Sequence, residues 1–335
     1  MYYDRTLSGS FASLLEKNGK LRWLYDFVKN KKELDFLIGQ NDSAEWISVY
    51  RGLSRILKIE PYKRSQKVKF SAAEKYEEIA RKLSHKIYGE HEPSRNIEHE
   101  LEDLIKMVAD GSDFKQYYNN KKEGYFQNLL SRRYGICGEA DDEFVILDKE
   151  AVVGYENQAE KNQEFGKFQK VYKNFQRLIS EEDPIRYGKN IEIKAIGNEL
   201  DFLALDKDGN ILLIEYKHGT NTSGIYLSPL QIGLYYDIFT DFRNNNPSGF
   251  NRTLLSMLTQ KQRMGLINSG WRIPQELKSI TPVLIISNYN RRSSAKVKFT
   301  EIMTKVRNYL RDKAFLSNLQ VYSFSEEDGL ELLQW

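Results

Sequence analysis

Cysteine is almost missing from this chain. The single Cys137 among 335 residues rules out an internal disulfide and any zinc site built on several thiolates. Histidine is scarce too, with only His85, His91, His99 and His218. His91 and His99 share the run HEPSRNIEHE, where Pro93 interrupts the helix that a helical zinc motif needs, so the run reads as a solvated loop and helix start. No stretch approaches the roughly 18 apolar residues of a membrane span. The start, MYYDRTLSGS, lacks the cationic and then apolar pattern of a signal peptide. Both absences lead to the expectation of a cytoplasmic protein without a membrane partner. A dominant charge is lacking as well: 50 Lys+Arg against 47 Asp+Glu leave a net +3. That excess does not announce a nucleic-acid binder, though it permits one whose basic residues cluster.

What remains is ordinary globular material. Hydrophobic residues make up 40%, enough for a core, and a mean hydropathy of −0.61 implies a heavily charged surface. The length suits about two domains.

The stretch Ile191 to Gly219, IEIKAIGNELDFLALDKDGNILLIEYKHG, organises the rest. It reads as three consecutive strands, the last two joined through Asp206 to Asn210. A three-residue loop, Lys207-Asp208-Gly209, with glycine in the left-handed position sets Asp206 against Asn210. It then sets Leu203 against Leu213, Asp201 against Glu215 and Glu199 against Lys217. These six lie on one face, apolar toward the turn and charged toward the open end, because strand side chains alternate with period two. Leu200, Phe202, Ala204, Leu212 and Ile214 make the other face apolar, so the hairpin belongs in a sheet covered on both sides. Two carboxylates and a lysine near such a core are costly unless they pair or hold a metal. This is also the set that metal-assisted phosphodiester cleavage uses, with oxygen ligands for a hard cation and an ammonium for the attacking water or developing charge. The alternative is a salt-bridged hairpin end.

Along the chain, Phe11 to Ile38 shows helical spacing, broken near Asn18-Gly19 and Asn30. A strand meander is expected over 46–50, 55–60 and 66–70. Residues 55–69 hold Arg55, Lys58, Lys63, Arg64, Lys67 and Lys69 against one acid, Glu60: a phosphate-contacting surface or a lysine-protected sheet edge. Residues 71–134 read as helical in three segments, and 135–142 as a joint. Glu143 to Tyr155 reads as a short hairpin or bent strand. A helix over 157–179 places Glu164, Phe168, Val171, Phe175 and Leu178 on one stripe, so that Glu164 is an acid at an inward position. Glu160 lies one turn earlier. After a polar loop at 218–224, Ser228-Pro229 is expected to cap the next helix, with Gln231 and Tyr235 stacked four apart. Residues 241–251 read as a loop and 252–268 as helix. TPVLIIS (281–287) reads as a buried strand, and Arg291, Arg292, Lys296 and Lys298 follow at its C-terminal edge, where open sheets place ligand contacts. A helix over 295–312 and a strand over 319–324 complete a mixed α/β core with helices on both faces.

These residues resemble the PD-(D/E)xK nuclease superfamily over roughly 150–325. The likeness rests on Glu199-Leu200-Asp201, on Ile214-Glu215-Tyr216-Lys217 and on the Gln231-x-x-x-Tyr235 helix motif of its RecB-like branch. The motif's proline is absent, since Glu199-Leu200 precedes Asp201. The resemblance implies a restriction-endonuclease-like fold and hydrolysis of phosphodiester bonds, in DNA rather than RNA. It implies Mg2+, with Mn2+ as a substitute, held by Asp201, Glu215 and the Tyr216 carbonyl. Lys217 would orient water or stabilise charge, Gln231 and Tyr235 would position the strand or the lysine, and Glu164 (or Glu160) would come from the first core helix. Lys63, Arg64, Arg291 and Arg292 are the expected nucleic-acid contacts. The nuclease domain would span 141–335, and 1–140 would form an accessory α+β domain for nucleic-acid binding or dimerisation. The alternative is a nucleic-acid-binding protein of the same fold that cuts nothing.

Overall fold

Local hydrophobic period decides the two sheets of this protein. The computed structural model describes residues 1–335 except 42–43, 63–66, 84–88, 94–96, 110–120, 183–198 and 311–313. The chain divides into two units, one of 4–145 with 253–273, the other of 1–3, 146–252 and 274–335. A single cut at the 135–142 joint therefore misses a segment, 253–273, that belongs with the earlier residues.

In the first unit, α1 (Arg22–Asn30) buries Leu24, Tyr25, Phe27 and Val28. Helical spacing does not persist to Ile38 as expected from sequence. Leu34, Phe36 and Ile38 alternate with period two and form β1 (Leu34–Gln40). Four more strands follow, β2 (Glu45–Arg51), β3 (Ser54–Pro61), β4 (Val68–Ser71) and β5 (Gly89–His91), all antiparallel and in chain order. Among the described residues α2 (Glu74–Leu83), α3 (Glu98–Ala109) and α4 (Glu123–Arg133) accompany them. Buried Arg132 on α4 donates to the carbonyls of Val28 (3.1 Å), Lys29 (2.8 Å) and Leu34, which lie at the end of α1 and the start of β1. The segment from 253 is tied in by polar contacts: Gln260 bonds both the N–H and the carbonyl of Leu7, each at 2.7 Å, and Arg22 donates to the Met264 carbonyl at 2.8 Å.

The second unit is built on a mixed sheet ordered β11-β10-β9-β8-β7-β6. Its elements in sequence are β6 (Phe144–Ala151), α5 (Gln158–Glu182), β7 (Leu200–Asp206), β8 (Ile211–His218), α6 (Thr222–Asn245), the start of α7 (Pro247–Arg263), β9 (Ile280–Ser287), α8 (Ala295–Tyr309), β10 (Gln320–Ser325) and β11 (Gly329–Leu332). Strands β7 and β8 are antiparallel, β8, β9 and β10 run parallel, and β11 returns antiparallel. Every residue of β8 is buried, as a central strand covered on both faces requires. Helix α6 packs on β8 and β9 and is itself covered by α5 and α8, which explains its near-continuous apolar sequence.

The hairpin takes the expected register: Phe202 faces Ile214, Leu203 faces Leu213, Ala204 faces Leu212 and Leu205 faces Ile211. The Asp206 N–H donates to the Asn210 carbonyl at 3.0 Å, and Gly209 has φ +90°. A Cβ at Gly209 would sit 2.4 Å from the Glu276 carbonyl oxygen. Gly209→Ala is therefore expected to cost about 1–3 kcal/mol through strain and the clash together. Urea denaturation checks this, and a loss under about 0.5 kcal/mol would show that the turn relaxes freely.

Two boundaries differ from the sequence reading. Helix α6 starts at Thr222, where the Asn221 side chain accepts the Gly224 N–H at 2.9 Å, so Ser228 and Pro229 lie inside it. Proline there lacks the N–H owed to the Ile225 carbonyl, and the Ser228 hydroxyl donates to that carbonyl at 2.7 Å instead. The loop expected at 241–251 shrinks to Asn246, whose side chain accepts the Gly249 N–H at the head of α7. The first of the three expected meander strands falls within 183–198, outside the described residues. In the sheet, β6 lies beside β7.

Candidate active site

Strand alternation carries Glu215 and Lys217 to one face of β8, near its C-terminal end, while Tyr216 and His218 point to the other. Tyr216 anchors that other face: its ring packs edge-on to Phe202 at 6.4 Å and its hydroxyl bonds Ser287. Register brings Asp201 of β7 alongside. Its Oδ2 accepts the Tyr216 backbone N–H at 2.7 Å and lies 4.0 Å from the Lys217 ammonium. Lys217 donates to Glu215 directly. The Glu215 carboxylate is almost fully buried, whereas the Asp201 side chain keeps 26% of its surface, so the cluster opens to solvent on the Asp201 side. One ammonium thus serves two carboxylates. Glu199, set opposite Lys217 by the hairpin register, is exposed, and Lys217 meets Glu215 and Asp201, the pairing of a salt-bridged hairpin end.

Strand β6 adds groups that sequence reasoning passed over. Asp148 and Lys149 are buried and Glu150 is half-buried. The signal was present: the apolar run FVIL ends in three charged residues, as β8 ends in charge after ILLI. Asp148 accepts the Tyr3 hydroxyl at 2.5 Å. Burial raises the Asp201 carboxyl above its ordinary range; the Lys217 ammonium, the Tyr216 N–H and Lys149 oppose that rise. Burial also raises Glu150, against the pull of Lys149 and with added repulsion from Glu199, Asp148 and Asp201. The Tyr235 hydroxyl on α6 belongs to the same neighbourhood: burial chiefly, then the Glu215 and Asp201 charges, hold it neutral. Gln231 is half-buried one turn earlier on α6.

The glutamates of the first core helix go elsewhere. Val171, on the stripe used to turn Glu164 inward, is 40% exposed; the buried stripe of α5 runs through Tyr172, Phe175, Gln176 and Ile179. Glu164 pairs with Lys167 at 2.6 Å, and Lys167 also meets Asp241 at 3.3 Å. Glu160 binds the N-terminal ammonium of Met1 at 2.7 Å. Neither is among the charges that bear on Asp201. Arg291 and Arg292 are exposed after β9, and Arg291 grips Glu331 of β11 at 2.6 and 2.8 Å. Lys63 and Arg64 lie outside the described residues.

Among the described residues no three His, Cys, Asp or Glu side chains converge to hold a metal by themselves. The donors that fit a hard cation are two carboxylates, Asp201 and Glu215, and backbone oxygen. Among the described residues no helix is long and apolar enough to cross a membrane. No family model, curated protein or solved structure matches the chain.

The raised Asp201 has a consequence for stability. A carboxyl that holds its proton more tightly when folded opposes folding once ionised. The penalty is absent below its ordinary value of 3.8 and complete above the raised value, so stability falls as pH rises between the two. Asp201→Asn is expected to flatten that slope in metal-free protein, measured by denaturation across the acid range. An unchanged slope would show that Asp201 ionises as an ordinary carboxylate.

Proposed function

We propose that this protein is a divalent-metal-dependent nuclease of restriction-endonuclease-like architecture that hydrolyses phosphodiester bonds in DNA. The observation that carries the reading is Asp201 and Glu215, brought from adjacent strands to a single ammonium, Lys217, at the C-terminal end of a central strand. The order of helix, antiparallel hairpin, helix and parallel strand around that cluster supports it. Open α/β sheets bind ligands beyond the carboxyl ends of their strands, where this cluster lies.

Asp201, Glu215 and the Tyr216 carbonyl would hold Mg2+ or Mn2+, which supplies an activated water and charge neutralisation at the phosphate. The chain's own groups do the rest. Lys217 donates to a phosphoryl oxygen as charge grows there. The Tyr235 hydroxyl, kept neutral, remains a hydrogen-bond donor, and the Gln231 amide lies one helical turn from it to orient the strand. The water oxygen bonds to phosphorus as the bond to the departing ribose oxygen breaks; one proton leaves the water and one reaches the departing oxygen.

The second reading, a protein that binds nucleic acid without cutting it, draws on Glu164 and Glu160, which pair with Lys167 and the Met1 ammonium and are not among the charges that bear on Asp201. Labelled single-stranded, duplex and junction DNA, incubated with and without Mg2+, tests the two. Metal-dependent product that disappears in Asp201→Ala supports the nuclease. Binding without product in either metal supports the second reading.

A further inference from the structure

The C-terminal edge of β9 carries a second feature, a pocket of about 280 Å³ whose lining includes Tyr289, Arg291, Lys296, Glu331 and Trp335. Two aromatic rings meet there, Tyr289 and Trp335, with centroids 5.3 Å apart. Phe299 steadies Trp335 from behind, edge-on at 4.9 Å. Both rings are half-buried, so each keeps surface toward solvent. Cations rim the pocket: Arg291 is held by Glu331, Lys296 donates to the Gln334 carbonyl at 2.7 Å, and Arg292 is exposed nearby.

The pocket adjoins the end of β8. His218 pairs with Ser287, and the Gly219 N–H donates to the Ser287 carbonyl at 2.7 Å. A Cβ on Gly219 would strike the Asn288 carbonyl, so the loop leaving Lys217 lies directly against the loop that leads to Tyr289. Lys298, in the first turn of α8, sits 5.3 Å over the ring of Tyr226 on α6, which joins the basic surface to the helix entered just after Lys217.

We propose that this pocket receives an unpaired nucleotide of the substrate strand. The base stacks on the open face of Trp335, with the tilted Tyr289 ring bordering it, and its phosphate takes the place of Glu331 on Arg291. The proposal rests on the nuclease reading and adds a substrate class, single-stranded or locally unpaired DNA over intact duplex. Every base offers a π-face and every nucleotide a phosphate, so rings beside cations suit a single strand without regard to sequence. A paired base has its faces covered by its neighbours. The exchange at Arg291 is cheap, because the Arg291–Glu331 pair is exposed on both sides (72% and 55%) and such pairs contribute little.

The test uses the full chain in EDTA, so that nothing is cut, with a labelled oligo-dT of about twenty nucleotides and a mixed-sequence duplex of the same length, read by fluorescence anisotropy. Wild type is expected to bind the single strand more tightly than the duplex. Trp335→Ala should weaken single-strand binding by about five- to a hundredfold and leave the duplex largely unaffected. Glu331→Gln releases Arg291 and should tighten single-strand binding about two- to fivefold, a gain that misfolding cannot mimic. Equal affinity for the two forms, or no change in either variant, overturns the pocket while leaving the nuclease reading intact. Failure to bind either form, with no Mg2+-dependent cleavage, overturns both.

Discussion

Lys217→Ala is expected to abolish cleavage, by a thousandfold or more on the order of what a lost charge-stabilising donor costs, and to lower stability by about 3–5 kcal/mol. Both losses follow from one contact. Glu215 is buried and bonded directly by Lys217, and removing the ammonium takes that positive partner from a buried carboxylate. A lost activity in an unstable variant says little, so two further variants separate chemistry from folding. Asp201 sits at the solvent side of the cluster with 26% of its side chain exposed, and its ionised form opposes folding, so Asp201→Asn should remove cleavage without lowering stability. Glu215→Gln combined with Lys217→Met removes both buried charges together and should recover most of the lost stability, because replacing a whole buried pair is close to neutral. It should recover none of the cleavage. Retained cleavage in either would remove the cluster from the chemistry.

Arg132→Met is expected to cost about 3–5 kcal/mol, because it removes charged hydrogen bonds to three carbonyls at once, two of them in buried surroundings. Its guanidinium joins the end of α1 to the start of β1 and also reaches the Cys137 sulfur at 3.3 Å. A planar fork meets carbonyls in several directions; an ammonium does not, so Arg132→Lys should restore only part of the loss. Urea denaturation measures both. A loss below about 1 kcal/mol for the methionine variant would mean that the carbonyls find other donors.

The hairpin was legible because its determinants are local. A period of two, a glycine able to take positive φ and a three-residue loop leave one register that keeps Leu203 and Leu213 together, and with them Asp201 near Glu215. The helix rotation of α5 was not legible. The spacing of Phe168, Val171, Phe175 and Leu178 turns Glu164 inward, but a helix with apolar residues on several sides offers more than one stripe; packing chooses the one through Tyr172, Phe175 and Ile179. Local chemistry also misplaced the start of α6. Ser228-Pro229 is a good helix opening wherever it stands alone, but Asn221 caps seven residues earlier and the Ser228 hydroxyl repairs the proline's missing bond. The strand β11 after Glu326-Glu327-Asp328 has slight burial, and its 4 residues are too few for apolar alternation to mark it as a strand.

Residue order alone was enough to say which side chains share a face and which chemistry they suit, since alternation and turn geometry act over a few residues. It could not say which charges meet. That Lys149 arrives from β6, and that Glu160 and Glu164 go to other partners, depend on which strand and helix become neighbours. Neighbours far apart in sequence are selected by the burial of the whole core, and a charge near that core takes whatever partner the packing leaves within reach.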